Sequence, residues 1–169
     1  MRFTIYLIFV FSFYSASAQS DEELLYVEEG NSYSLLINQE TKVHKQFISD
    51  SHVETFVFIQ NNQFKYTLTV LRSKANNMTN DSLFTYQYEQ AYMDNCGCEV
   101  LSTIQSKVDN INSLQFKIKR KENNMVLLGY ADSFVVNEVL FNVVFMIPET
   151  NFPRYQSEYS SIKSSFDIR

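Results

Sequence analysis

Phe152-Pro153-Arg154-Tyr155-Gln156-Ser157-Glu158-Tyr159-Ser160-Ser161-Ile162-Lys163-Ser164-Ser165-Phe166 is the stretch that decides the fold. Phe152, Tyr155, Tyr159, Ile162 and Phe166 are spaced three, four, three and four residues apart, which lines them on one stripe of an α-helix. Pro153 suits the first turn, where its missing amide hydrogen removes no helical bond. Burying five such side chains contributes on the order of 8 to 15 kcal/mol gross, before a comparable entropy cost of ordering the segment. The helix is therefore expected to be part of the core, and Ile162→Asp to prevent folding.

Working outward, the preceding chain reads as strands joined by short polar turns. Val139 to Ile147 and Ser133 to Val136 form an expected hairpin around Asn137-Glu138. Met125 to Tyr130 and Leu114 to Arg120 flank the turn Glu122-Asn123-Asn124, and Glu99 to Thr103 adds another strand. Such short turns join antiparallel neighbours, not the crossovers of a parallel sheet. A helix is predicted from Thr79 or Asn80 to about Asn95, with Gly97 stopping it in a left-handed conformation. Before it, Phe64 to Leu71 alternates, with Phe64, Tyr66, Leu68 and Val70 on one side and Lys65, Thr67 and Thr69 on the other. Asn61-Asn62-Gln63 turns this strand from Val53–Ile59, whose consecutive Phe56, Val57, Phe58 and Ile59 predict burial on both faces. Ser32 to Ile37 reads as the first strand. The fold class expected is α+β, an antiparallel sheet flanked by helices.

Phe134-Val135-Val136-Asn137 leading into Leu140-Phe141-Asn142-Val143-Val144, with the ending Tyr155, Tyr159, Ile162 and Ser164-Ser165-Phe166, resembles the PsbP-like superfamily. That group includes photosystem extrinsic subunits and the Mog-type nuclear-transport adaptors. The resemblance runs from roughly Gly30 to the carboxyl end and implies an α/β/α sandwich that acts in assembly or as an adaptor. It carries over no catalytic residue.

The amino-terminal end reads as an export signal: Arg2, an apolar run from Phe3 to Tyr14, then Ala16-Ser17-Ala18. The run holds about 12 residues, short of the roughly 20 that cross a bilayer. Cleavage after Ala18 leaves 151 of the 169 residues and, with Arg2 gone, moves the formal net charge from −5 to −6. Residues 19–29 form an acidic leader holding Asp21, Glu22, Glu23, Glu28 and Glu29, and residues 30–169 read as one domain. An acidic chain lacks the concentrated positive face that displaces counterions from phosphates, so nucleic acid is not an expected partner.

Cys96-Gly97-Cys98 is the whole cysteine inventory, and export makes a disulfide or thiol pair there an expectation. A thiol-redox role is weakened by the position of Cys96 at a helix carboxyl end, where the dipole disfavours thiolate. His44 and His52 lack metal-site spacing relative to the cysteines, and neither sits in a recognisable nucleophile motif, so no metal, cofactor or catalytic residue is assigned. Lys117, Lys119, Arg120 and Lys121 near a hairpin tip read either as a solvated strand face or as a docking patch for an acidic partner. Asn77-Met78-Thr79 and Asn80-Asp81-Ser82 match the glycosylation pattern. The expected function is a non-catalytic binding or assembly module, periplasmic or secreted, with an envelope protein as partner. The alternatives are a small thiol-redox enzyme using Cys96 and Cys98, and a carrier of a small apolar ligand.

Overall fold

The computed structural model describes residues 23–48 and 50–169. The expected signal peptide at residues 1–18 lies outside the described residues. In chain order the elements are β1 (Glu23–Val27), β2 (Tyr33–Asn38), β3 (Thr41–Ile48), β4 (Ser51–Gln60), β5 (Gln63–Lys74), α1 (Asn80–Leu83), α2 (Tyr86–Cys96), β6 (Glu99–Val108), β7 (Ile111–Glu122), β8 (Met125–Val136), β9 (Val139–Pro148), a 3-10 turn (Glu149–Asn151), α3 (Phe152–Ser164) and β10 (Asp167–Ile168).

Four tight turns organise the large sheet. Asn61-Asn62, Asp109-Asn110, Asn123-Asn124 and Asn137-Glu138 each place two consecutive residues at positive φ, between 46° and 65°. That pair of conformations is the primed hairpin turn whose twist matches the strands it joins, and asparagine tolerates it without glycine. The two meanders meet where β5 pairs β9, giving a seven-stranded sheet ordered β3-β4-β5-β9-β8-β7-β6, with every pair antiparallel. A second, three-stranded sheet is ordered β1-β2-β10.

The large sheet is packed on both faces. On the first, Phe56, Leu68, Val143, Phe145 and Ile147 meet Tyr155, Tyr159, Ile162 and Phe166 together with Tyr33, Leu35 and Ile37 of the small sheet. All five stripe residues of the carboxyl-terminal segment are buried, although Phe166 lies just past the end of α3. On the second face Leu83, Tyr88 and Tyr92 cover Phe116, Ile118, Ala131 and Met146, with the Tyr92 and Phe116 rings stacked at 4.6 Å. Gly129 allows the close approach of β9: a Cβ there would collide with the Phe145 carbonyl.

Several expectations are corrected. Glu23–Val27, read as part of the acidic leader, is a strand of the domain: it pairs with β2, and Tyr26 packs edge-on against Phe56 at 4.9 Å. Thr41–Ile48 is a strand that the sequence did not announce, because the exposed Lys42, His44 and Lys45, which fall on both of its faces, mask the period. The helix expected from Thr79 to Asn95 is two, broken at Phe84-Thr85, where the Thr85 hydroxyl starts α2 by accepting from the Tyr88 amide. Met125–Val136 is one continuous strand, not two. Of the apolar run in β4 only Phe56 and Phe58 are buried, while Val57 is half-buried and Ile59 exposed, because the second helical layer packs over β7 to β9 and leaves this face of β4 open.

The correction with most consequence falls on Lys65. Phe58 pairs with Tyr66 but Ile59 pairs with Phe64, so Lys65 is the extra residue of a β-bulge. The bulge rotates it out of strict alternation, and Lys65 is buried, 8 % exposed, lining the same cleft as Tyr66.

Candidate functional site

The three buried carboxylates among the described residues are Glu28, Glu54 and Asp132, and their partners decide what chemistry the interior can do. Asp132 sits in the middle of β8 beneath α3 with no exposed surface. Its Oδ1 accepts from Ser113 Oγ at 2.6 Å and Lys163 Nζ at 2.9 Å, and its Oδ2 from Gln115 Nε2 at 2.7 Å and from the Tyr159 hydroxyl. A carboxylate offers about four lone-pair sites, so this one is filled. Lys163 also donates to Ser106 Oγ at 2.7 Å. Burial, then the Asp132 charge, holds the Tyr159 hydroxyl well above its ordinary pKa, so it stays a donor.

Glu54 and Glu28 work the same way under the small sheet. Glu54 accepts from the Tyr26 hydroxyl at 2.8 Å and from the Tyr33 hydroxyl, one on each oxygen. Burial, then the bond and charge of Glu54, push the Tyr26 hydroxyl up to about 12. Glu28 accepts from Arg72 Nη2 at 2.7 Å and from the Ser32 amide at 3.1 Å. Burial by itself would raise the Glu28 carboxyl, but the Gly30 and Ser32 amides and the Arg72 guanidinium outweigh it and lower it to about 2. These acids fasten the small sheet and α3 to the large one. None presents a free oxygen to a substrate.

Lys65 differs. Its ammonium donates to Gln63 Oε1 at 3.0 Å, the one hydrogen bond it makes among the described residues. It lines a cleft of about 530 Å³ between α3, the end of β2 and the tip of the β4–β5 hairpin. The same cleft holds Tyr155, which is 6 % exposed and whose hydroxyl has no partner, and Arg154, whose guanidinium lies 5.2 Å from the Tyr155 ring. Asn38, Gln60 and Gln63 supply amides to its wall, and Glu23 and Glu158 also line it.

No protein-family model matches the sequence, and no curated protein matches it. Solved structures do. The cyanobacterial PsbP of Synechocystis sp. PCC 6803 superposes with a TM-score of 0.67 at 14 % identity, over 90 % of this chain and 96 % of that one. The Ran-binding protein Mog1p of Saccharomyces cerevisiae gives 0.56 at 6 % identity, covering 88 % and 96 %. The chain has the PsbP/Mog fold. LpqN of Mycobacterium tuberculosis, described as involved in cell envelope biogenesis, gives 0.55 at 9 % identity, covering 87 % and 90 %.

On this PsbP/Mog framework the residues singled out from sequence are scattered. Cys96 and Cys98 are joined in a disulfide across Gly97, which ends α2 at φ 57°. Both cysteines are half-buried, with Cys98 packed against the second core cluster. The basic residues of β7 do not form one free patch. Lys117 Nζ lies 5.4 Å from the Phe152 ring, Lys119 pairs with Glu149 at 3.6 Å and Arg120 with Glu122 at 3.7 Å, leaving Lys121 exposed. His44 and His52 are exposed, the latter edge-on to Phe47, and among the described residues no group of three or more His, Cys, Asp or Glu could hold a metal ion. Asn80 is not a free acceptor, since its amide is bonded to both backbone groups of Val135, whereas Asn77 stands on an exposed turn. Lys65 escaped notice because alternation put it on the other face.

Proposed function

We propose that this chain is a non-catalytic binding or assembly module that works outside the cytoplasm, in the cell envelope, on a protein partner. The observation that carries the reading is the engagement of the buried acids: Glu28, Glu54 and Asp132 have both oxygens bonded to fixed donors. A general base or nucleophile needs an uncommitted lone pair within reach of substrate. The export reading of Arg2 to Ala18 supports the location, and no helix among the described residues is long and apolar enough to cross a membrane. Mog1p, which shares the fold, is described as Ran-binding, so the framework is compatible with protein recognition. The test is crosslinking in intact cells of the native host, with mass analysis of the recovered chain. The expected result is a chain beginning at Gln19 and joined to one envelope protein in constant ratio. Recovery of the intact chain with Met1, or of uncrosslinked chain alone, would overturn the proposal.

The second reading, a thiol-redox enzyme, is favoured by one observation, the Cys96–Cys98 disulfide. Against it stands the place of Cys96 at the carboxyl end of α2, where the helix dipole opposes thiolate. Alkylation of the native protein after mild reduction separates the two: rapid labelling of both sulfurs supports redox exchange, and protection removes it. Apolar cargo is disfavoured by the amide and charged side chains lining the cleft beside Lys65.

A further inference from the structure

We propose that the cleft lined by Lys65, Arg154 and Tyr155 is a binding site for a small hydroxylated organic anion, whose carboxylate or phosphate head is held by these three side chains. This site stands apart from the assembly reading, which names a protein partner and not a small ligand.

Three observations converge. Lys65 is only 8 % exposed as a residue, and its ammonium has one amide oxygen for its three hydrogens. A buried charge is tolerated when it is paired and hydrogen-bonded, and the carboxylates elsewhere in this molecule meet that standard. The Tyr155 hydroxyl is equally buried and has no partner, one of three such side-chain atoms among the described residues with Thr41 Oγ1 and Arg72 Nε. Finally, a β-bulge is what brings Lys65 into the cleft, and bulges serve to re-aim a side chain next to functional sites.

The ligand's character follows from the lining. Lys65 and Arg154 can only donate, and an unpartnered phenol donates readily, so the complement is an acceptor with several lone pairs and negative charge. Asn38, Gln60 and Gln63 each present a donor and an acceptor, which suits hydroxyl groups on the body that carries the anionic head. Glu23 and Glu158 in the same lining disfavour polyanions and select a single anionic head. The volume, about 530 Å³, falls within the range of small-molecule sites.

The experiment is calorimetric titration of the chain from Gln19 to Arg169 with glucuronate, glucose 6-phosphate and glucose. Saturable binding of at least one of the two anions, with a Kd below about 1 mM, and none of glucose is expected. The preferred anion identifies the head group as carboxylate or phosphate. Lys65→Met should weaken binding at least tenfold without lowering Tm, and Tyr155→Phe by several-fold. Arg154→Gln, an exposed substitution that leaves the core untouched, should also weaken it and guards against a folding defect in the Lys65 variant. Absence of binding by both anions up to ~10 mM, equal binding of glucose, or full affinity in both Lys65→Met and Arg154→Gln would overturn the assignment.

Discussion

Two buried charges lie under opposite ends of α3, and they are treated differently. Beneath the carboxyl-terminal half, Asp132 collects four donors, two from β7 and two from α3. Toward the amino-terminal half, Lys65 shares its cleft with Arg154 and Tyr155 and has a single amide oxygen. The same helix thus closes one charge and leaves the other open. Burial alone does not mark a functional residue. Unfilled hydrogen-bonding capacity beside a cleft is the more informative sign, because a structural role is complete when the partners are complete.

The sharpest way to break this contrast is Asp132→Ala. It strands Lys163 and three other donors, so a loss of about 3 to 5 kcal/mol is expected by urea unfolding. A loss below about 1 kcal/mol would mean that the network is slack. Next is Glu28→Gln, expected to cost about 2 to 3 kcal/mol at neutral pH through its partner Arg72. Its pH dependence has a definite sign. Glu28 is held at about 2, below its ordinary 4.5, so the unfolded chain takes up the proton first as pH falls. The Glu28 contribution is fully present above pH 4.5 and disappears as pH drops from there through about 2. Acid unfolding of Glu28→Gln should lack that portion of the slope.

Lys65→Met should give the opposite sign from Asp132→Ala: no change or a gain of up to about 1 kcal/mol, because an under-partnered buried charge is replaced by an apolar chain of similar length. A loss of about 3 kcal/mol or more would make Lys65 a structural element like Asp132 and erase the contrast. The smallest effect is expected at the β7 tip. Lys121→Glu changes an exposed residue and should alter stability by less than about 0.5 kcal/mol. It would weaken a true docking contact in a salt-dependent way, read as partner retention at low and high ionic strength.

The parts of the fold legible from sequence are those where one period dominates. Phe152 to Ile162 repeats at helical spacing and forms α3, and Asn137-Glu138 between apolar runs forms the β8–β9 turn. Thr41–Ile48 was not legible because, as an edge strand largely exposed on both faces, it has no apolar face for a period to report. Asp132 interrupts the apolar pattern of β8, and the place of a carboxylate in mid-strand is explained only by its donors on β7 and α3.

Lys65 did leave a signal. Straight pairing away from Asn61-Asn62 would set Phe58 opposite Lys65 and Phe56 opposite Thr67, whereas a one-residue shift sets Phe58 opposite Tyr66 and Phe56 opposite Leu68. Matching the apolar faces requires one surplus residue in β5, and counting registers from the turn would have found it. The partnerless Tyr155 hydroxyl could not be found that way, because it depends on what three separate elements bring to one cleft.

The asparagine-built hairpins leave the chain with an unused reserve of thermal robustness. Glu138 occupies a left-handed position, φ 63°, in a turn that favours glycine, and its side chain is solvent-facing. Glu138→Gly should raise the melting point by a few degrees, about 1 kcal/mol, without moving a core atom. Asn62, Asn110 and Asn124 hold the equivalent place in their own turns, so the scaffold can be hardened at four loop tips.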